Sequence, residues 1–447
     1  MPQEPGSTPS PDPQTASLAA GGGATPAVAG PAFWSRFTEA LLVSDFRRLM
    51  LAMVFFTAAL HIGGTAQGWL VFDLTGSSLA LGIAQSLFSV MILFFSPLGG
   101  VLADRVEKKQ LLLATWLGSG LIFGVLALLI LTHTIQLWHF FAASLANGLV
   151  FSFNITSRFG LVSQMVRDGL LKNAASTVAL TFNLNGLLFP LVGGAIIDLA
   201  GVGAAYVVMA ALYFIAVLLA TRVPRQGVLP RLARTSMTRD FVVGLGYLKG
   251  QPALLGIMVI ALAAVSLGQP YAVLLPQLAE ETLHVPASGL GLLIGMIGLG
   301  GIVGNLVLAG LGSGVRLGRL VLAMTVGAGL GLVCLAVANT LFWGSVVLFG
   351  LGLLGLPAFT ICESLLQRHT PPEMRGRILS IYMMTWGLYP VGVLISSALA
   401  DAYGLWLPLL IDGVGMAVVA LIALRCFPTL LVLNSRDDLP VAKPRTP

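Results

Sequence analysis

Charge is scarce in this 447-residue chain: 9% of its residues are Asp, Glu, Lys or Arg, against 57% hydrophobic. A soluble domain carries about a quarter charged residues, so this composition excludes a water-soluble globular protein. Cysteine is nearly absent. Cys334, Cys362 and Cys426 stand singly in apolar runs, with no CxxC and no histidine at metal spacing, which excludes a disulfide framework and a zinc site. There is no Gly-x-x-x-x-Gly-Lys-Ser/Thr loop for ATP and no HExxH. No run of Lys and Arg interleaved with aromatics is present to bind nucleic acid. Nothing calls for a cofactor.

What the chain has in quantity is apolar runs long enough to cross a bilayer, about 20 residues each. Twelve can be marked between residues 49 and 427, separated by turn signals such as Gly76-Ser77-Ser78, Gly201-Val202-Gly203 and Pro371-Pro372. The fold class expected is an all-α membrane protein of 12 transmembrane helices in two six-helix pseudo-repeats. Residues 1–32 have the composition of a disordered tail and 33–48 read as an amphipathic surface segment. A six-helix bundle over 49–223, a basic linker over 224–250, a second six-helix bundle over 251–427 and a tail over 428–447 complete the organisation.

The basic residues test this count. All 24 fall before span 1, around the turn after span 2, at or after the end of span 4, in the central linker, after spans 8 and 10, or at the chain end. An even number of spans with both termini in the cytoplasm puts every one of them on one side, as the positive-inside rule requires. The halves also echo each other. Gly186-Leu-Leu-Phe189-Pro190 is answered about 200 residues later by Gly387-Leu388-Tyr389-Pro390, and the runs end in Asp198 with Gly201 and Asp401 with Gly404. Two repeats around a midplane site are the layout of a secondary transporter.

The densest charge cluster, Gly99-Gly100-Val-Leu-Ala-Asp104-Arg105-Val-Glu107-Lys108-Lys109, falls at the cytoplasmic turn between spans 2 and 3. Gly99 and Gly100 permit close helix approach, and Asp104 is suited to the positive N-terminal end of a neighbouring helix. This stretch resembles the major facilitator superfamily signature Gly-x-x-x-Asp-Arg-x-Gly-Arg/Lys-Arg/Lys, with Glu107 where the family has a second glycine. Gly68-Trp-Leu-Val-Phe-Asp73 and Pro372-Glu373-Met-Arg375-Gly376-Arg377 are similar to the branch of enterobactin exporters and related secretion or drug exporters. The resemblance implies proton-coupled export of an amphipathic small molecule by alternating access, at a bacterial inner membrane, by a monomer. Import or facilitated diffusion without protons is the alternative, and a membrane-embedded enzyme or sensor a distant one.

Site residues follow from the same pattern. Gly99, Gly100, Asp104, Arg105, Lys108, Lys109, Arg158 and Glu363 are expected at the cytoplasmic gate, Arg158 facing Asp104 and Glu363 facing Arg316 or Arg319. His61 and Asp412, ionisable groups inside spans, are the candidates for proton coupling. Gln67, Asn154, Gln269, Tyr271, Thr360, Tyr382 and Trp386 are candidates for the substrate cavity. Gly186, Pro190, Gly193 and Gly194 resemble the superfamily's antiporter motif, with Phe189 in place of its first glycine; on residue chemistry alone they make a bent, closely packed helix. Gly298-Leu-Gly300-Gly301-Ile-Val-Gly304 looks like a dinucleotide loop, but its place within a span makes it a small-residue packing surface.

Overall fold

A computed structural model describes residues 39–103, 106–224, 237–311 and 314–433. Helices account for nearly all of it. In hydrocarbon each backbone N–H and C=O must be satisfied within the segment, and an uninterrupted apolar run does that only as a helix. The first bundle holds α1 (Ser44–Thr75), α2 (Ser78–Ala103), α3 (Lys108–Leu131), α4 (Leu137–Met165) and the long helix Leu171–Thr221. The membrane-compatible part of that last helix is 49 residues, roughly 70 Å at 1.5 Å per residue, more than twice a bilayer core. It is broken at Gly201 (φ 81°, ψ 164°), a conformation that a Cβ excludes. The arms 171–200 and 202–221 are therefore two crossings, α5 and α6.

The second bundle holds α8 (Pro252–Ser266) continued by α9 (Tyr271–Gln277), then α10 (Ala287–Gly310), α11 (Leu317–Ala336), α12 (Leu341–Arg368), α13 (Pro372–Met384) continued by α14 (Tyr389–Tyr403), and α15 (Trp406–Cys426). Among the described residues the count is twelve crossings, made by eleven continuous apolar stretches because Gly201 splits one of them. Crossing 7 is discontinuous at 267–270, where Gly268 and Pro270 interrupt the helix, and crossing 11 passes through a 3-10 turn at Thr385–Leu388.

Several boundaries differ from those read in the sequence. Residues 1–38 and 434–447 lie outside the described residues, but α1 starts at Ser44, five residues before the expected span, with Phe46 and Leu49 buried. The linker carries a helix, α7 (Met237–Lys249), which packs on α13. The expected tail begins with a 3-10 turn (Pro428–Val432) whose Leu430 is buried against Gly256 and Gly318.

The two cores are built differently. The first bundle closes on aromatic rings: Phe56 stacks on Trp116 (centroids 4.9 Å apart) and Phe123 on Tyr213 (5.6 Å), with Tyr206 and Phe140 beside them. The second closes on glycines that let backbones touch, Gly300 and Gly352 between α10 and α12, and Gly329 and Gly413 between α11 and α15. The bundles meet chiefly through two helix pairs, α5 with α10 and α2 with α14, and α9 adds smaller contacts with α1 and α2.

Candidate functional site

Let the terminal face be the end where α1 begins and α15 finishes, and the distal face the opposite one, where Gly76 turns α1 into α2. On the distal face each bundle places a carboxylate on a helix N-terminus of the other. Asp198, near the end of α5, accepts from the backbone N–H of Ala287 and of Ser288, both at 3.0 Å, at the start of α10. Asp401, near the end of α14, accepts from the N–H of Ser78 at 2.8 Å and of Leu79 at 3.1 Å, at the start of α2, and from the Ser77 hydroxyl. A helix N-terminus presents unsatisfied N–H groups and a partial positive charge, so each carboxylate meets two of its needs at once.

The two clamps share one local design. Three residues after each aspartate stands a glycine with positive φ, Gly201 at 81° and Gly404 at 84°. Each chain therefore turns sharply just past its clamp. Ser78 Oγ adds a third tie, donating at 2.8 Å to Gln277 Oε1 at the end of α9.

Inward from the clamps the seam is lined by small residues. A Cβ on Gly194 would collide with the backbone of Ala287, one on Gly291 with Pro190 O, and one on Gly82 with Ser397 Oγ. The Ser86 hydroxyl donates to Pro390 O at 3.4 Å. Pro190 has no N–H, so the Gly186 carbonyl is left without its helical partner; this carbonyl approaches Gly298 of α10, where a Cβ would lie 3.0 Å from it. The seam reaches Gly186 and Gly298 on one side and Leu93 and Gly387 on the other. The inter-bundle hydrogen bonds of Asp198, Asp401, Ser78 and Ser86 all lie on the distal half of the seam.

His61 sits where the seam ends. Its ring meets Phe182 of α5 edge-on (centroids 4.8 Å, 64°), and the space it fills is the one vacated by Gly186. Its Nε2 is buried and has no hydrogen-bond partner. Asp412 is different: it is buried between α14 and α15, where Oδ2 accepts from Ser396 Oγ at 2.8 Å, away from both seams.

The remaining expected residues separate into groups. Asp104 and Arg105 lie outside the described residues, and Gly99 and Gly100 fall near the end of α2. Lys109 Nζ donates to Thr221 O at 2.9 Å, capping α6, while the Lys108 side chain covers Gly160 on α4, half a turn from the half-buried Arg158. Glu363 accepts from Gln367 on its own helix at 2.9 Å and, among the described residues, forms no ion pair with Arg316 or Arg319. Asn154 is buried and donates to Thr115 of α3, so it serves packing inside the first bundle instead of facing a cavity.

Tyr271 is buried at the start of α9, two residues after Gln269 in the break of crossing 7, and Tyr382 is buried with its hydroxyl donating to Phe359 O at 3.4 Å. Trp386 is exposed and lies 5.5 Å from Phe359, and the exposed Thr360 donates to Asn305 at 3.2 Å. Gln67 faces Ser144 of α4 at 3.5 Å. In the antiporter-like run, Gly193 packs on Ile62 of α1 and Gly194 on α10, so one helix serves both bundles. Asp198 and Asp401, noted in the sequence only as marks of the repeat, hold the distal clamps. The signal that would have revealed them is an acidic residue three before a glycine at the end of a span, paired with serines opening another.

Comparison with known proteins agrees with this architecture. The profile of the family described as transmembrane secretion effector matches residues 38–444. The enterobactin exporter EntS of Citrobacter koseri is 27% identical over 404 residues, covering 89% of this chain and 95% of that protein. The enterobactin exporter EntS of Escherichia coli O1:K1 / APEC is 27% identical over 394 residues, covering 86% and 93%. Among solved structures, a bacterial homolog of the human lysosomal transporter Spinster, in an inward-facing and unoccupied conformation, aligns with a TM-score of 0.69 at 11% identity, covering 87% of this chain and 98% of that one. A peptide transporter POT in complex with sulfate aligns at 0.71 and 13% identity, covering 88% and 96%. At such identities the structures speak for the fold alone.

Proposed function

Because the chain belongs to the transmembrane secretion effector family of major facilitator transporters, we propose that it exports an amphipathic, siderophore- or drug-like small molecule by alternating access, in exchange for protons. The observation that carries this reading is the pair of distal clamps. Two carboxylates, each set by one bundle on a helix N-terminus of the other, close the distal end with bonds that can release, as a substrate site that alternates between two faces requires. With the basic loops in the cytoplasm, the clamped end faces away from it, and an exporter loads from the opposite end. The named relatives at 27% identity support the direction and the substrate class.

Opening the distal face requires both clamps to release. Each is solvent-exposed, and a carboxylate at an exposed helix N-terminus is worth roughly 0.3–1 kcal/mol, so the closed state is held firmly enough to be populated and loosely enough to cycle. His61 is the proton carrier in this reading, since its ring packs on Gly186, whose backbone the second bundle approaches through Gly298. Gln67, Thr360 and Trp386 contact the substrate, while Arg158, Lys108 and Glu363, with Asp104, belong to the cytoplasmic gate.

Flux in proteoliposomes tests the proposal, using a siderophore-like acid, a lipophilic cation and a sugar, each with and without an imposed pH gradient. Movement of an amphipath with counterflow of protons is the expected result. Flux indifferent to the gradient removes the proton from the mechanism, and transport confined to the sugar overturns the substrate class.

A further inference from the structure

Within the first bundle lies a cavity of about 140 Å³ that no residue considered so far explains. Gly64 of α1 lines it, one turn before Gly68 on the same face of the helix. A Cβ on Gly68 would press at 3.0 Å on Pro276 of the second bundle, at the closed end of the seam. A Cβ on Gly64 meets nothing within 4 Å, although Gly64 lines the cavity. Open space therefore begins one turn below the distal closure and runs between α1, α2 and α4 as far as Phe123 and Tyr213.

The lining fixes the chemistry of an occupant. Phe88, Phe123, Phe140 and Tyr213 supply apolar and aromatic walls, and no Asp, Glu, Lys, Arg or His lines the cavity. An ion placed there, at membrane depth, would meet no countercharge. Four polar side chains do reach it, Gln67, Gln85, Ser144 and Asn147. Asn147 Oδ1 accepts from Ser119 at 2.8 Å, which leaves its amide donors toward the space, and the Gln85 amide makes no hydrogen bond among the described residues. Amides set in an otherwise apolar and aromatic wall favour an occupant that can hydrogen-bond to them. An apolar cavity of about 150 Å³ holds one benzene, so the volume suits a single ring.

The geometry points to a side chamber of the substrate path that receives one uncharged aromatic ring bearing a hydrogen-bonding substituent, as on a phenol or a benzamide. The inference rests on the transport reading above and names the group by which the substrate is held. The ring lies among the four aromatic side chains, its substituent pairs with Gln85 and Asn147, and the rest of the molecule stays in the cleft beyond Gly64.

Binding of 4-fluorobenzamide to the purified full chain in nanodiscs, followed by fluorine NMR, tests the chamber without any transport. Saturable binding is expected, with 4-fluorobenzoate failing to compete at neutral pH. Gly64→Leu, at a position where a Cβ meets nothing within 4 Å, puts a bulky side chain into the cavity and should weaken the probe at least about tenfold, since single methylenes already carry factors of that order. Gln85→Leu should weaken 4-fluorobenzamide and spare fluorobenzene. No saturable binding, equal binding by Gly64→Leu, or effective competition by the benzoate overturns the inference. In proteoliposomes Gly64→Leu should lower flux of ring-bearing amphipaths while ring-free amphipaths still move. A wild type that moves no amphipath sinks the exporter reading, with the NMR result still deciding the chamber.

Discussion

The imidazole of His61 occupies the volume that a side chain at Gly186 would need: a Cβ there would sit 3.1 Å from Cε1 of the ring. The backbone of Gly186 is at the same time what α10 touches through Gly298. One residue of α5 thus lies between the ionisable group of its own bundle and the seam with the other. A displacement of that ring would push on the helix that forms the seam.

Enlarging residue 186 should therefore act through His61. Gly186→Leu is expected to destabilise the protein by about 1–3 kcal/mol, the usual cost of overpacking, and to reduce export at least tenfold. Adding His61→Ala vacates the ring's volume and should restore most of the thermal stability while leaving transport uncoupled from protons. A thermal-shift comparison of the two single variants and the double variant measures this; additive losses would separate the residues.

The two buried ionisable candidates should differ in kind. His61→Gln is expected to abolish substrate-dependent proton movement while binding persists. Asp412→Asn retains a group that accepts from Ser396 and lies off the seams, so it should keep coupled transport within about twofold. A pH-sensitive dye in substrate-loaded proteoliposomes reads both. Loss of coupling in Asp412→Asn alone would transfer the role to α15.

The distal clamps should set the balance between the two open states. Ser397, fully buried against Gly82 beneath the Asp401 clamp, becomes a reporter as Ser397→Cys in a background lacking Cys334, Cys362 and Cys426. Asp198→Ala with Asp401→Ala is expected to speed its modification by an impermeant maleimide added from the distal side about tenfold. Each single variant should give a smaller gain, because one clamp remains.

How much of this was legible in the sequence depends on the range of the interaction. The twelve crossings followed from apolar length and from the sidedness of the basic residues, properties of each segment alone, and the Gly201 break appeared as a turn signal. The repeat of Asp198 and Gly201 in Asp401 and Gly404 was visible as a pattern. Its meaning was not, because each carboxylate acts on a helix start in the other bundle, 89 residues away for Ala287 and 323 for Ser78. Asn154 misled for the same reason: a polar residue within a span looks alike whether it meets a cavity or Thr115. Gln85 attracted no notice in the sequence because only the fold brings it beside Asn147 and Gly64.

Glycines on and off the seam make the final contrast. A Cβ on Gly291 runs into Pro190 O across the bundles, whereas one on Gly350 meets nothing within 4 Å. Both stand in helix interiors, where Ala is favoured over Gly by roughly 0.5–1 kcal/mol. Gly350→Ala should realise that gain and raise the melting temperature with flux unchanged. Gly291→Ala should lose more than it gains, because the rigid carbonyl it meets belongs to a helix held between two bundles. Its cost should appear as faster distal labelling of Ser397→Cys, since a wedge at residue 291 forces apart the seam that the clamps close. If Gly291→Ala lowered the melting temperature and left that labelling unchanged, the seam would be a static packing surface and not the joint that opens.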